Sequence, residues 1–283
     1  MIRQAESATR AVMSERAVDK ARRLMILTRV CFGRTAIPAE NRIAAEPRPN
    51  YRLCANDEAF SCVDGTASAA AMDDIEREPT QLYLISPLEV AGGFPERLAR
   101  ALDAAPVAAF QFRVKDLDQH EAARLAEPLQ KICGDRGVAF IVNDSISLAK
   151  RLGADGVHIG QEDGTVEEAR NALGRDAQIG VTCHDSRHLA MDAGEAGADY
   201  VAFGAFFPTT TKQVKHMAGA DLLTWWQGIF EIPCVAIGGI TPENCGQLVT
   251  AGADFLAVSG AVWNGDEVAA IKAFHEAMVA VQG

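Results

Sequence analysis

Short apolar runs rich in β-branched residues recur from residue 80 onward, separated by longer stretches with helical spacing. The runs cover residues 81–85, 107–112, 139–142, 156–159, 178–182, 200–204, 234–238 and 255–258. They are continuous rather than alternating, the pattern of strands covered on both faces. In the stretch 121–132, Ala122, Leu125, Ala126, Leu129 and Ile132 repeat at three- and four-residue intervals, as one buried helix face requires. Residues 167–173, 189–196 and 244–251 behave alike. Gly-Ala-Asp follows several of these helices, at Gly153, Gly197 and Gly252, where glycine suits a left-handed helix end. Eight strands alternating with helices predict an α/β fold, a closed (β/α)8 TIM barrel near the small end of its usual size. An open doubly wound sheet shares the local pattern. Polar clusters after nearly every strand favour the barrel, whose strand ends converge on one face.

The first 71 residues break this rhythm. They carry 11 Lys+Arg against 8 Asp+Glu, a net of +3, whereas residues 72–283 carry 16 against 30, a net of −14. Apart from Met25-Ile26-Leu27 they hold no sustained apolar period, and Pro47-Arg48-Pro49-Asn50 reads as unstructured chain. The expected organisation is therefore a largely disordered extension, 1–71, and a single barrel domain, 72–283. Three origins for the extension compete: translation begun upstream of a natural start at Met72, an Arg-rich transit peptide, or a regulatory tail. Acidic residues are too frequent for a good transit peptide, which favours the first.

The formal charge of −11 argues against nucleic acid as a partner, because a phosphate backbone needs basic surface. No apolar run is long enough to span a bilayer. The seven cysteines, Cys31, Cys54, Cys62, Cys133, Cys183, Cys234 and Cys245, are odd in number and form no CxxC pair. That usage fits buried thiols in a reduced, cytoplasmic setting.

Three polar clusters carry the chemistry. Gln111, Arg113 and Lys115 alternate at the end of the second strand, so period-two geometry puts them on one side, toward the barrel mouth. Charged groups there call for an anion, the plainer alternative being a solvated strand end with Arg113 paired to a neighbouring carboxylate. Asp144 and Asp163 follow the third and fourth strands, close enough for both carboxylates to share one hard cation such as magnesium. Asn143 precedes the first of them, and Glu162 is read as peripheral. Each aspartate has a plainer alternative, as N-cap of the helix that follows. The loop after the sixth strand offers Thr209, Thr211 and Lys212, the hydroxyls and ammonium that cradle phosphate. Gly238-Gly239 and Ser259-Gly260, after strands seven and eight, let backbone amides approach phosphate oxygens. His158 and His184 read as hydrogen-bonded structural residues, Lys215 and His216 as solvated, and at least one of Trp225 and Trp226 as core.

Residues 80–280 resemble the thiamine-phosphate synthases. The resemblance rests on Phe110-Gln111-Phe112-Arg113-Val114-Lys115, Val142-Asn143-Asp144, Gly156-Val157-His158-Ile159-Gly160-Gln161-Glu162-Asp163, Gly180-Val181-Thr182, Pro208-Thr209-Thr210-Thr211-Lys212 and Ala236-Ile237-Gly238-Gly239-Ile240. It implies that a pyrimidine diphosphate and a thiazole phosphate condense to thiamine phosphate with release of pyrophosphate. By the same resemblance Gln111 bonds the pyrimidine, while Arg113, Lys115, Asn143 and Lys212 hold its diphosphate. Asp144 and Asp163 take Mg2+, and Thr209, Thr211, Gly239, Ser259 and Gly260 grip the thiazole phosphate. Thr182 keeps a hydroxyl where the family usually has serine. Gly260 stands where serine is frequent and leaves only a backbone amide. A thiazole tautomerase of the same fold and a non-catalytic precursor-binding protein are the rival readings. Tautomerisation needs no pyrophosphate machinery, and a mere binder would find the metal pair superfluous. Homo-oligomerisation is left open.

Overall fold

Eight parallel strands close in sequence order into a barrel, β1 pairing with β2 on one side and with β8 on the other. The computed structural model describes residues 78–209 and 216–282; the extension 1–71 lies outside them, as do Thr211, Lys212 and Lys215. The strands are β1 (Gln81–Ile85), β2 (Ala109–Phe112), β3 (Ala139–Asn143), β4 (Gly156–Ile159), β5 (Gln178–His184), β6 (Tyr200–Gly204), β7 (Cys234–Ile237) and β8 (Phe255–Val258). The helices are α1 (Phe94–Ala104), α2 (Gln119–Arg136), α3 (Ile146–Leu152), α4 (Val166–Leu173), α5 (Arg187–Glu195), α6 (Ala220–Ile229), α7 (Gly246–Thr250), α8 (Gly260–Trp263) and α9 (Glu267–Gln282). A closed ring leaves no unpaired strand edge, so the doubly wound alternative is excluded.

The continuous apolar runs have a two-sided explanation. Leu82, Leu84, Phe110, Phe140, Val157 and Leu256 face outward and pack under the helices. Tyr83, Ile85, Ala109, Ile141, Tyr200, Val235 and Phe255 face inward and fill the lumen. Each fully buried aliphatic or aromatic side chain contributes about 1.5–3 kcal/mol. Trp226 is fully buried, as expected of one of the tryptophan pair.

Helix ends follow local chemistry. Asp118 accepts from the amides of His120 and Glu121 to start α2, and Gly137, at φ 65°, stops it. With both signals in place α2 runs past the 121–132 stretch at each end and accommodates Pro128. Ser145 caps α3, and Thr165 caps α4 in a reciprocal pair with Glu168. Asp144 and Asp163 therefore cap nothing, which removes their plainer reading. Gly153 ends α3 at φ 57° as the sequence predicts.

The aspartate of each Gly-Ala-Asp has a job that the sequence does not display. A carboxylate oxygen of Asp155 accepts from the amide of Phe140 at 2.9 Å, one of Asp199 from Ile179 at 2.7 Å, and one of Asp254 from Cys234 at 2.7 Å. Each ties an even strand to the start of the odd strand before it. Arg170 reinforces one of these joints through Asp199 at 2.7 Å. At the far end, Glu267 is buried between Arg97 and Arg100, anchoring α9 to α1 at 2.9 Å and 2.6 Å.

Among the described residues no helix is long and apolar enough to cross a membrane. Cys133, Cys183, Cys234 and Cys245 are buried and free. Burial pushes the Cys183 and Cys234 thiols up to about 12, so both stay protonated and inert.

Candidate active site

The described residues singled out from the sequence gather at the C-terminal ends of the strands. Gln111 is buried on the lumen side of β2, Arg113 is half-buried just beyond it, and Lys115 is exposed at the rim. A reciprocal pair fixes this segment: Ser86 Oγ accepts from the Arg113 amide at 2.9 Å and donates to the Arg113 carbonyl at 3.0 Å. Ser86 itself is 1% exposed and its amide donates to the Gln111 carbonyl at 2.9 Å. Its role was not visible in the sequence, where it follows β1 as an ordinary turn residue.

Asn143 ends β3 in register with His158 on β4. The next residue, Asp144, has φ 63°, in the left-handed region that non-glycine residues avoid. Its amide is held by the His158 carbonyl at 2.7 Å. Asp116 and His184 share this unusual conformation, and all three lie at or beyond the C-terminal ends of strands. Backbone strain of this kind collects at functional sites.

Across from Asp144, Asp163 Oδ2 accepts from the Gly160 amide at 3.0 Å, which turns the carboxylate back toward the barrel. The two carboxylates lie within hydrogen-bonding reach of each other. Burial, then the Asp163 charge, push the Asp144 carboxyl up to about 6, against the opposing pull of Arg113 and Lys115. Two crowded carboxylates stabilise either a shared proton or a cation. Among the described residues no cluster of three or more candidate ligands forms. Asp144 and Asp163 could together hold a hard ion of the kind that takes one or two protein carboxylates and completes its shell with water and phosphate oxygens.

Thr182 lies in the lumen, half-buried, and its Oγ1 is 2.8 Å from His158 Nε2. The other ring nitrogen of His158, Nδ1, is 3.1 Å from Tyr200 Oη. Tyr200 Oη is 2.9 Å from Tyr83 Oη, which accepts from Gln111 Nε2 at 3.1 Å. His158 is hydrogen-bonded, as expected, but inside the site rather than away from it. Tyr83 and Tyr200 were missed by sequence reasoning, since a tyrosine in an apolar strand looks like ordinary core. Parity was the available signal: Tyr83 sits two residues before Ile85 on the lumen face. Burial pushes the Tyr83 phenol up to about 12 and holds Tyr200 well above the ordinary phenol range, so both remain neutral.

The remaining described groups lie in the segments after β6, β7 and β8. Gly239, at φ 64°, lies against the Phe207 and Pro208 carbonyls so closely that a Cβ there would overlap them. This brings the turn after β7 beneath the segment carrying Thr209. Asn244 Nδ2 donates to the Gly239 carbonyl at 3.0 Å and holds the turn. Ser259 and Gly260 follow β8 at the start of the short helix α8. Trp263 secures that helix, its indole donating to the Ile85 carbonyl at 2.7 Å. His216 is exposed, as expected, with Nδ1 3.2 Å from Asp185 Oδ1 and its ring 4.9 Å from that of His184.

Comparison with known proteins agrees with this arrangement. A model of the thiamine monophosphate synthase family matches residues 82–262. The chain is 70% identical over 206 residues to the thiamine-phosphate synthase of Erythrobacter litoralis, covering 71% of this chain and 97% of that one. It is 56% identical over 201 residues to the thiamine-phosphate synthase of Rhodospirillum centenum, covering 70% and 97%. The solved thiamine phosphate pyrophosphorylase of Pyrococcus furiosus superposes with a TM-score of 0.64 at 28% identity, over 72% of this chain and 97% of that one. The chain belongs to the thiamine-phosphate synthase family.

Proposed function

We propose that this barrel mouth condenses 4-amino-5-hydroxymethyl-2-methylpyrimidine diphosphate with thiazole phosphate, giving thiamine phosphate and pyrophosphate. The chain is a transferase of thiamine biosynthesis, as its relatives are. The observation that carries the residue assignment is the facing pair Asp144 and Asp163, crowded enough to raise one carboxyl to about 6, beside Arg113 and Lys115. A tautomerase would have no use for that charge arrangement.

In this reading Gln111 bonds the pyrimidine, and Arg113, Lys115, Asn143 and Lys212 hold the diphosphate. Asp144 and Asp163 bind Mg2+, which when bound neutralises charge on the diphosphate and makes it a better leaving group. Thr209, Thr211, Gly239, Ser259 and Gly260 grip the thiazole phosphate. The carbon–oxygen bond to the diphosphate breaks first, and its electron pair leaves with pyrophosphate. The thiazole nitrogen then donates its lone pair to the pyrimidine-methyl cation to form the new carbon–nitrogen bond. No protein nucleophile is needed. Arg113, Lys115 and Lys212 act where negative charge grows, and such preorganised groups are each worth several kcal/mol of barrier. The lumen wall around Gln111, buried among Tyr83 and Tyr200, keeps water from the cation.

We place the protein in the cytoplasm with small-molecule partners, and assembly into homo-oligomers is compatible with this site. The test is mass-spectrometric detection of thiamine phosphate from both precursors with magnesium. Product formed with stoichiometric pyrophosphate, and abolished by chelator, is the expected result. Substrate binding without turnover would instead assign a precursor-binding role.

A further inference from the structure

We propose that a one-way chain of hydrogen bonds through the lumen holds His158 as its Nε2–H tautomer and so presets the Thr182 hydroxyl as a donor toward the diphosphate. The proposal rests on the reading above and deepens it by adding Thr182, half-buried at the C-terminal end of β5, to the groups that face the diphosphate.

The direction of the chain is set at Gln111. An amide nitrogen only donates, and Gln111 Nε2 donates to Tyr83 Oη at 3.1 Å. The Tyr83 proton then points to Tyr200 Oη at 2.9 Å. Tyr200, accepting from Tyr83, passes its own proton to His158 Nδ1 at 3.1 Å. A ring nitrogen that accepts carries no proton, so the neutral imidazole bears its hydrogen at Nε2. That N–H donates to Thr182 Oγ1 at 2.8 Å. The Thr182 proton is left for an acceptor beyond the chain.

The opposite direction fails at Tyr83. Its Oη would accept from both Gln111 and Tyr200, and its own proton would be left without an acceptor. Gln111 and Tyr83 are each 4% exposed, Tyr200 3% and His158 7%, so bulk water cannot take up that proton. The geometry depends on a missing side chain as well. A Cβ at Gly180 would overlap the Tyr200 ring, so only glycine lets that phenol reach His158. Five strands contribute to the chain: β2, β1, β6, β4 and β5.

As the carbon–oxygen bond breaks, charge builds on the departing diphosphate. A hydroxyl already aimed as a donor meets that charge without reorganising. His158 is a positioning residue: it acts through Thr182 and does not touch the reacting atoms.

The test has two readouts on the full-length protein. The first is the His158 tautomer in 15N-histidine-labelled protein, with the resonance assigned from His158→Gln. Protonation at Nε2 with a bare Nδ1 is expected; an Nδ1–H ring or an imidazolium overturns the proposal. The second is a double-mutant cycle. Thr182→Ala is expected to lower kcat about a hundredfold, as loss of one preorganised donor does, and Tyr200→Phe about tenfold. Tyr200→Phe in the Thr182→Ala background is expected to add nothing, with Thr182→Ser restoring activity. Additive losses overturn the chain. Full activity of Thr182→Ala overturns the assignment of Thr182 to the diphosphate, and the tautomer distinguishes that failure from failure of the chain.

Discussion

Ser86 and Arg113, 27 residues apart, exchange two hydrogen bonds across the ends of β1 and β2, one from the Arg113 amide to Ser86 Oγ and one from Ser86 Oγ to the Arg113 carbonyl. One buried hydroxyl thereby sets the backbone from which the proposed diphosphate arginine projects. Ser86→Ala leaves two half-buried backbone groups without this partner, and we expect a loss of about 1–3 kcal/mol. The KM for the pyrimidine diphosphate should rise while that for the thiazole phosphate holds. Chemical denaturation and steady-state kinetics check both halves.

Asp144→Asn removes a charge from the facing carboxylate pair without changing its size. The variant should fold, with a melting temperature at neutral pH no lower than that of the native protein, and lose on the order of a hundredfold or more in kcat. Full activity at limiting magnesium would sink the metal assignment.

The same pair predicts a pH dependence. Asp144 is raised from 3.8 to about 6 in the metal-free fold, so the folded state binds a proton more tightly than the unfolded chain. Its stabilising contribution is full below pH 3.8 and is lost as the pH rises through about 6. In chelator, the melting temperature of the native protein minus that of Asp144→Asn should therefore fall across this window. Because a cation must displace that proton, apparent magnesium affinity should weaken as the pH drops below about 6. A flat difference in the melting series would contradict the raised carboxyl.

Glu267 behaves in the opposite sense. Burial alone would raise its carboxyl, but hydrogen bonds from Arg97 and Arg100 outweigh burial and hold it below the ordinary 4.5. This stability is present above pH 4.5 and is lost as the pH falls through the depressed value. Glu267→Gln should cost about 1–3 kcal/mol at neutral pH and flatten the acid limb of a stability profile. Activity per folded molecule should be unaffected.

The extension can be tested by removal. The relatives match this chain over about 70% of its length while spanning 97% of their own. A chain starting at Met72 should fold with an unchanged melting temperature and form thiamine phosphate at the full rate. A collapse of that melting temperature would make the extension part of the fold.

Much of the architecture was legible in the residues. Strand runs and helix faces repeat with their own periods, and burial on both sides of a barrel strand erases alternation in a recognisable way. The ends were harder: β5 runs on to His184, and β2 starts at Ala109 rather than 107. Pairing with neighbours, not local preference, decides where a ladder stops.

What the sequence determined by itself was the eight alternating strands and helices and the polar clusters after most strands, because each depends on residues close together in the chain. Tertiary structure alone decided which residues meet. It turned Asp144 and Asp163 from possible helix caps into a facing pair, with Ser145 and Thr165 taking the caps. It also made one hydrogen-bonded path of Gln111, Tyr83, Tyr200, His158 and Thr182. Those five residues come from five strands, and no local pattern joins them to one another, since barrel closure and the tilt of each strand set the distances between them.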